Sequence, residues 1–418
     1  MTVIRPDSQR VVVTGVGMVT PVGNDVPTAW EAILAGRSGA GPITQFDTAD
    51  YRTKFAAEVK DFDPTQHMDK RDARRMDRYV HLAVAAAQEA LSDARFDMAH
   101  WDSTRVGVYI GSGIGGMHVL MEQTQILREK GVRRVSPFTV PGLIINSAAA
   151  QVSIMIGARG PNLALATACA TGAHVLGEAV HIIRRGDADA MIAGSAEAAI
   201  TGMSAAGFDN MGALSCRNDD PERASRPFDA HRDGFVMGEG AGALILERLD
   251  LARARNARIY GELIGYGLNA DAFHITAPTE DAIGTATCMR LALKDAGLKP
   301  GEIDYINAHG TSTPLNDASE TKAIKAVFGD DAYRVPISST KSMTGHGMGA
   351  AGTMEAIFCL LAMRDQILPP TINYETPDPE CDLDYVPNKA RPATVDIALS
   401  NSFGFGGHNG TVILRKTV

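Results

Sequence analysis

Residues 163–174 read Leu163-Ala164-Leu165-Ala166-Thr167-Ala168-Cys169-Ala170-Thr171-Gly172-Ala173-His174. A strand-like apolar run ends here, a cysteine follows, and apolar residues at helical spacing predict a helix from Ala170 to about Arg185. Free N–H groups and the helix dipole at such an N-terminus favour a thiolate, so Cys169 is a candidate nucleophile. A small cysteine buried between strand and helix is the alternative, and this segment alone does not separate the two.

Composition narrows the class of protein. The chain has 418 residues, of which 45% are hydrophobic and 21% charged, as in ordinary soluble globular proteins. This length suits two sizeable cores or one large fold made of two similar halves. The net charge of −9 supplies no broad basic field, so we expect no nucleic-acid partner.

The cysteines and the N-terminus indicate a reducing compartment. The 5 cysteines are scattered without CxxC spacing, which argues against both a disulfide framework and a structural zinc site. Residues 1–10 are polar and contain Pro6 and Asp7, unlike a signal peptide. No apolar run approaches the roughly 20 residues that span a bilayer. We therefore expect a cytoplasmic protein without a membrane partner.

Strand-like and helical segments alternate along the whole chain, which is typical of an α/β fold. Both halves follow one order: strand, helix, strand, glycine-rich corner, helix, strand. This predicts a division near Arg258, into residues 1–258 and 259–418, with 112–145 as an insertion. A helix is predicted over Asp317–Phe328, capped by Asn316 or Asp317.

Two histidines occupy matching settings in the second half. His309 follows a predicted strand in Asn307-Ala308-His309-Gly310-Thr311-Ser312-Thr313-Pro314, and His346 lies between a strand and a helix in residues 341–352. Loops at strand ends are where α/β folds place reacting groups. One histidine in such a loop is more often structural, but two equivalent ones with a helix-terminal cysteine indicate catalysis.

Three further features stand out. Glu355 lies in a nearly all-apolar helix, where a carboxylate needs a cation, and Lys341 is a candidate. Residues 401–410, with glycines around Phe403 and Phe405, suit either a simple β-turn or a mobile gate. The run of glycines in residues 111–116 is suggestive of nucleotide binding, but it lacks a dinucleotide fingerprint's strand-to-helix context.

These motifs together resemble the β-ketoacyl-acyl-carrier-protein synthases, condensing enzymes of the thiolase-like superfamily, and most closely their type II elongating branch. The resemblance covers essentially the whole chain. It is carried by TACATGAH at Cys169, NAHGTSTP at His309, KSMTGHGMGAAG with Lys341 and His346, and NSFGFGGHN at Phe405. It implies a five-layer αβαβα fold built from two similar halves.

The resemblance also implies roles for individual residues. Cys169 accepts the acyl group, His309 and His346 serve decarboxylation, Lys341 and Glu355 support them, and the N–H of Phe405 joins that of Cys169 in an oxyanion hole. Substrate-binding residues are Thr311, Thr313, Thr276, Ile114, Phe138 and Phe403, with the acyl pocket reached partly across a dimer interface. Carrier-protein docking residues are Arg71, Arg74, Arg75, Arg133 and Arg134.

The implied activity is decarboxylative condensation of malonyl-carrier protein with an acyl-enzyme, giving a 3-oxoacyl-carrier protein in fatty acid biosynthesis. The acyltransferase would be a homodimer without metal or cofactor, because phosphopantetheine arrives on the carrier. A polyketide ketosynthase and a non-catalytic chain-length-factor-like subunit remain alternatives. Gly212 and Thr139 depart from the residues common in relatives, which leaves carrier docking and pocket depth open.

Overall fold

The computed structural model describes residues 5–417. Most strands join one 10-stranded sheet, and two short pairs stand apart from it, β2 with β3 and β11 with β12. The strands are β1 (Val11–Val19), β2 (Gly41–Pro42), β3 (Phe55–Ala56), β4 (Val106–Gly111), β5 (Asn162–Leu163), β6 (Ala190–Glu197), β7 (Gly240–Arg248), β8 (Gly261–Ala270), β9 (Tyr305–Asn307), β10 (Ile337–Ser338), β11 (Ile367–Leu368), β12 (Arg391–Pro392), β13 (Ile397–Gly404) and β14 (His408–Arg415).

The strand order of the large sheet repeats. Its first half runs β5-β4-β6-β7-β1 and its second half, read from the other edge, β10-β9-β13-β14-β8. When the strands of each half are numbered by their order in the chain, both halves show the same strand order from the outer edge of the sheet to its centre. Val12 and Val13 of β1 pair with Glu262 and Gly261 of β8 and join the two halves. The predicted division near Arg258 stays a prediction; that residue lies just before β8.

The helices cover both faces of the sheet and fill the space between its halves. They are α1 (Val26–Leu34), α2 (Lys70–Ala73), α3 (Arg78–Asp93), α4 (Met117–Lys130), α5 (Thr139–Leu143), α6 (Ser147–Ile156), α7 (Thr171–Arg184), α8 (Gly202–Met211), α9 (Leu249–Ala254), α10 (Ile283–Ala296), α11 (Pro314–Phe328), α12 (Lys341–Thr344) and α13 (Ala351–Asp365).

Five layers result, and this confirms the predicted thiolase-like α/β architecture. Helices α3 and α6 pack on the outer face of the first half, and α10 with α11 on that of the second. Helices α7 and α13 form the central layer and each contacts strands of both halves. Residues 351–363 are buried on every side, as expected of a helix that is apolar all round.

Glycines let the two central helices approach closely. A Cβ on Gly172 of α7 would lie 2.5 Å from the backbone nitrogen of Thr353, and one on Gly352 of α13 would lie 2.8 Å from that of Ala173. Both distances are shorter than real side chains allow. The helix that begins beside Cys169 is therefore held against the helix that follows the His346 loop.

One local prediction about helix ends is wrong. Helix α11 begins at Pro314 with Thr313 before it, so neither Asn316 nor Asp317 is its cap. Asp317 is buried in the first turn, where its carboxylate accepts a hydrogen bond from the backbone N–H of Phe228 at 2.8 Å. Proline at the first helical position, favourable because it needs no hydrogen bond there, decides the start.

Candidate active site

Cys169 lies at the tight corner that leads into α7. The preceding residue, Ala168, has a φ of 49°, in the left-handed region that costs a residue with a side chain strain energy. Gly404 of β13 packs against the corner, since a Cβ there would lie 3.0 Å from the backbone nitrogen of Cys169. Cys169 is a partly exposed residue that lines a cavity of about 520 Å³.

The structure brings His309 and His346 to this thiol. Their ring centroids are 5.3 Å apart with the planes at 82°, and one donor atom from each ring and the sulfur all lie within 4.8 Å of one another. His346 Nε2 is 3.1 Å from Cys169 Sγ, while its Nδ1 accepts the N–H of Met348 at 3.3 Å. With Nδ1 accepting, the proton of neutral His346 is assigned to Nε2, which faces the cavity.

Both rings are neutral at physiological pH. Burial and then the charge of Lys341 hold the pKa of His309 and of His346 well below the ordinary 6.5. Neutral imidazoles of this kind donate an N–H without carrying charge. One nitrogen of each neutral ring therefore lies within 4.8 Å of the sulfur.

Lys341 and Glu355 form a buried ion pair behind the histidines. The ammonium contacts Glu355 Oε1, and both side chains are almost fully buried. Burial raises the pKa of Glu355 to about 7, although Lys341 lowers it. The sequence-based expectation that Glu355 needs a cation, and that Lys341 supplies it, is confirmed in its geometry.

The expectation that the resting thiolate is favoured is wrong. Burial raises the pKa of the Cys169 thiol to about 11, although the charge of Lys341 and the backbone N–H groups of Phe405 and Cys169 lower it. Desolvation outweighs the helix terminus because the sulfur is surrounded by protein. Those two N–H groups nevertheless converge at the sulfur, where an oxyanion next to it would accept from them.

Residues 401–410 form a β-hairpin. β13 ends at Gly404, Phe405 to Gly407 form the turn, and β14 begins at His408. The N–H of Gly406 donates to the carbonyl of Ile275 at 2.7 Å, so the turn is tied to the loop at the cavity mouth. The Phe403 ring lies 5.7 Å from that of His309.

Most of the predicted substrate-binding residues line the cavity, and one does not. Thr311 and Thr313, whose hydroxyls are 2.9 Å apart, line it with Thr276, Ile114 and Phe403. Phe138 lies outside this chain's cavity, half-exposed beneath the guanidinium of Arg75 at 4.4 Å. A larger cavity of about 740 Å³ between the ends of α3 and α9 contains none of the predicted site residues.

The predicted docking arginines lie on the surface of the first half. Arg71, Arg74, Arg133 and Arg134 are exposed, and Arg75 is half-buried. Within residues 5–417, only Arg75 among them has an ion-pair partner, Asp72 at 3.5 Å.

Sequence reasoning missed two buried carboxylates beside the site. Glu320 of α11 accepts the N–H groups of His309 at 2.9 Å and Gly310 at 2.8 Å, and so supports the first histidine loop. Glu197 ends β6 and accepts the N–H of Gly113 at 2.8 Å. The available signal for Glu197 was a carboxylate that closes an otherwise apolar strand.

Glu197 also accounts for the glycines of residues 111–116. A nest of N–H groups at Gly113 and Ile114 suits a phosphate, but here the carboxylate of Glu197 fills it. These N–H groups are therefore already paired within the protein. In the part of the chain that the structure describes, no helix combines the length and the apolar character needed to cross a membrane.

Comparisons with known proteins cover nearly the whole chain. Residues 8–252 match the model of the beta-ketoacyl synthase N-terminal domain, and residues 260–375 that of the C-terminal domain. A 3-oxoacyl-[acyl-carrier-protein] synthase 2 of Synechocystis sp. is 54% identical, with 98% of this chain and 99% of the relative covered. The protein of the same name from Coxiella burnetii is 51% identical, with the same coverage.

A solved structure gives the likeness in three dimensions. A type II polyketide ketosynthase, in complex with its acyl-carrier protein and bound to the hexaketide, superposes with a TM-score of 0.91. It is 37% identical, and the match covers 98% of this chain and 99% of that one.

Proposed function

The chain belongs to the β-ketoacyl synthase family, and we propose that Cys169, His309 and His346 carry out its condensation reaction. The chain is a 3-oxoacyl-acyl-carrier-protein synthase, a transferase that elongates acyl chains in fatty acid biosynthesis. Identity of 51–54% to synthases of that name, against 37% to the polyketide ketosynthase, separates it from the main alternative. The presence of Cys169 beside two histidines argues against a non-catalytic subunit.

The first half-reaction transfers the acyl group to Cys169. The sulfur attacks the thioester carbonyl, and the N–H groups of Cys169 and Phe405 hold the oxyanion that forms. The bond between the carbonyl carbon and the carrier's sulfur then breaks. The proton that the Cys169 thiol loses is balanced by the proton that the departing carrier sulfur takes up.

The second half-reaction makes the carbon nucleophile. The bond between the malonyl carbon and its carboxylate breaks, carbon dioxide leaves, and the electron pair forms an enolate. Its oxygen accepts the N–H groups of His309 and His346, and each such donor is worth roughly 10²–10³ in rate. The enolate carbon attacks the acyl-enzyme, the carbon–sulfur bond breaks, and the Cys169 thiolate leaves and is reprotonated.

The observation that carries this mechanism is the pair of neutral rings 5.3 Å apart beside the sulfur. Lys341 supports it electrostatically, because its charge lowers the pKa of both histidines.

Three further assignments extend the proposal. We propose that an acidic acyl carrier protein, the partner seen with the polyketide ketosynthase, docks on Arg71, Arg74, Arg75, Arg133 and Arg134. Four of these side chains are exposed, and within residues 5–417 only Arg75 among the five has an ion-pair partner, which supports this. We also propose that the enzyme works in the cytoplasm without a resident metal or cofactor, with phosphopantetheine held between Thr311 and Thr313.

We propose a homodimer as the working form. Strand β5 ends the large sheet with Leu163 exposed, and Val132, Val140 and Ile154 present exposed apolar side chains from the neighbouring helices and insertion. Exposed apolar side chains around an open sheet edge suit a second copy of the chain. In such a dimer, Phe138 would reach the acyl pocket of the partner.

Substituting the histidines tests the donor pair. His309→Ala and His346→Ala are expected to lower release of carbon dioxide from malonyl-carrier protein by about 10² or more, while acylation of Cys169 continues. Exposed His231 supplies the control, because His231→Ala should change neither rate. Unchanged decarboxylation in both site variants would refute the assignment.

Labelling of cysteines tests the nucleophile independently. Iodoacetamide treatment followed by peptide mapping should modify Cys169 before the other 4 cysteines, which include exposed Cys216. Failure of Cys169 to react faster than these four would count against its role.

A further inference from the structure

Glu197 is a fully buried carboxylate that the mechanism above does not use. It lies at the end of β6 and accepts four hydrogen bonds: from Ser112 Oγ at 2.9 Å and from the backbone N–H groups of Gly113 at 2.8 Å, Ile114 at 3.3 Å and Gly349 at 3.1 Å. Within residues 5–417 it has no ion-pair partner. Burying a carboxylate without a cation costs free energy that an apolar side chain at this position would not. The hydrogen bonds that Glu197 accepts therefore need a role that an apolar side chain cannot fill.

The four donors belong to two loops, one beside the proposed acyl pocket and one that carries His346. Residues 112–115 carry Ile114 at the cavity wall, and residues 346–349 carry His346. The loops approach so closely that a Cβ on Gly113 would lie 2.6 Å from Glu197 Oε2, and one on Gly349 would overlap the nitrogen of Gly113. The carboxylate of Glu197 therefore lies where residues 112–115 contact residues 346–349, a contact named the seam.

One carboxylate oxygen of Glu197 bridges the two loops, and the other serves the pocket side alone. Oε2 accepts from Gly113 and Gly349, one N–H on either side of the seam. Gly349 directly follows Met348, whose own N–H donates to His346 Nδ1 and sets the tautomer of that ring. Oε1 accepts from Ser112 and Ile114 and so fixes the pocket side. The hydroxyl of Ser112 in turn accepts the N–H of Gly115 at 2.9 Å.

We propose that Glu197 is a positioning residue that holds Ile114 and His346 in register, so that acceptance of the acyl chain and decarboxylation depend on one carboxylate. This inference rests on the proposed function, because it assumes that Ile114 meets the acyl chain and that His346 holds the enolate. Glu197 itself touches neither. Its effect passes through the backbone of the two loops.

Two substitutions separate this role from simple packing. Glu197→Gln keeps the shape but replaces an acceptor with a donor that faces two other donors, whereas Glu197→Asp keeps the acceptors in a shorter side chain. If acceptance of hydrogen bonds matters, Asp should retain more activity than Gln. If only the filled volume matters, Gln should retain more.

The expected result for Glu197→Gln has three parts. Carbon dioxide release from malonyl-carrier protein falls about tenfold, since buried donors are left unpaired. The ratio of kcat/KM for long against short acyl primers shifts by about fivefold. Iodoacetamide labelling of Cys169 does not slow, because the backbone N–H groups of Phe405 and Cys169 remain and loss of the Glu197 charge, which raises the pKa of the thiol, favours the thiolate.

A milder variant tests the two sides of the seam separately. Ser112→Ala removes a donor on the pocket side only, so it should shift the primer ratio and leave carbon dioxide release within about twofold. This variant keeps the buried carboxylate, so the test does not depend on Glu197→Gln folding. An unchanged primer ratio in Ser112→Ala would overturn the pocket side of the proposal.

Glu89 supplies the matched control. It also accepts two backbone N–H groups, those of Met18 and Val26, both at 2.8 Å, far from the cavity. Glu89→Gln should lower thermal stability without changing the primer ratio. Wild-type rates in Glu197→Gln, or losses in all three assays in proportion to the loss of stability seen with Glu89→Gln, would overturn the proposal. Absence of carbon dioxide release by the wild-type enzyme would instead refute the proposed function.

Discussion

Burial and nearby charge together set the pKa of each titratable side chain at the site. Desolvation is the main cause that raises the pKa of the Cys169 thiol, to about 11, and that lowers the pKa of each of the two histidines. The charge of Lys341 opposes the first shift and adds to the other two. The buried ammonium of Lys341 thus lowers the pKa of the thiol and of both histidines. This favours the thiolate and the neutral imidazoles, at the cost of desolvating the ammonium.

Replacing His309 by a neutral side chain should change how stability depends on pH. The ordinary pKa of 6.5 applies to the unfolded chain, and the folded value lies well below it. Below pH 6.5 the unfolded chain therefore binds a proton that the folded site does not, so stability that is complete above pH 6.5 is lost as the pH falls toward the folded pKa. Glutamine takes no proton and avoids this loss.

The measurement is urea unfolding of wild type and His309→Gln between pH 7.5 and 5. The free energy of unfolding should fall in both proteins as the pH decreases over this range. The decrease should be about 2 kcal/mol smaller in His309→Gln than in wild type. The same comparison for exposed His231→Gln should show no such difference. Parallel curves for His309→Gln and wild type would mean that the folded ring takes the proton as readily as the unfolded chain.

Among the elements, the crossing of α7 and α13 matters most for catalysis. Helix α7 starts two residues after Cys169, and α13 starts five residues after His346. Their contact through Gly172 and Gly352 therefore sets the distance between nucleophile and donor. Helix periodicity predicts both helices but not their contact, because periodicity describes the faces of a helix and not its partner.

Adding a methyl group at this crossing should damage both stability and activity. Gly172→Ala places a Cβ against the backbone of Thr353, and overpacking of this kind costs about 1–3 kcal/mol. Because the helices must separate, condensation should slow more than the loss of folded protein explains. Thermal unfolding and condensation assays check both effects.

Gly207 of α8 provides the control for this substitution. It is exposed, and nothing lies within contact distance of a Cβ placed there. Gly207→Ala should stabilise the protein by about 0.5–1 kcal/mol, the ordinary gain within a helix, and leave activity unchanged. Equal stability of the two alanine variants would show that the crossing tolerates the added methyl.

At the scale of the whole molecule, the repeated strand order produces the site. The first half supplies Cys169 and the second half supplies His309, His346 and the hairpin with Phe405. The β1–β8 pairing and the two central helices bring these parts together. Each half alone would hold an incomplete reaction centre, so condensation depends on the joint between them.

The open edge at β5 leads to a prediction about assembly. Leu163→Lys puts a charge into an exposed apolar edge and should shift the protein from dimer to monomer in analytical ultracentrifugation. Condensation with long primers should fall with it, since Phe138 would no longer reach the partner's pocket. Leu291→Lys, on the outer face of α10, should leave the mass unchanged. A monomeric wild type would contradict the proposed dimer.

Much of this protein follows from the sequence alone. Alternating strand and helix patterns predicted the layered α/β class, and the cysteine and histidine motifs predicted three side chains that the structure brings together, because both patterns depend on local residue order. The isolated charge of Glu355 predicted the buried pair with Lys341, since an apolar helix cannot hold a carboxylate alone. Element ends were less accurate, as the start of α11 at Pro314 shows.

Only the tertiary structure decided what depends on distant neighbours. The resting state of the Cys169 thiol was mispredicted because helix position is local, whereas desolvation depends on every segment packed around the sulfur. The donors around Glu197 come from residues 84 positions earlier and 152 later in the chain, a separation that no local pattern encodes. Residue order thus predicted the candidate reacting groups, and packing determined their protonation, their spacing and the buried carboxylate that joins their loops.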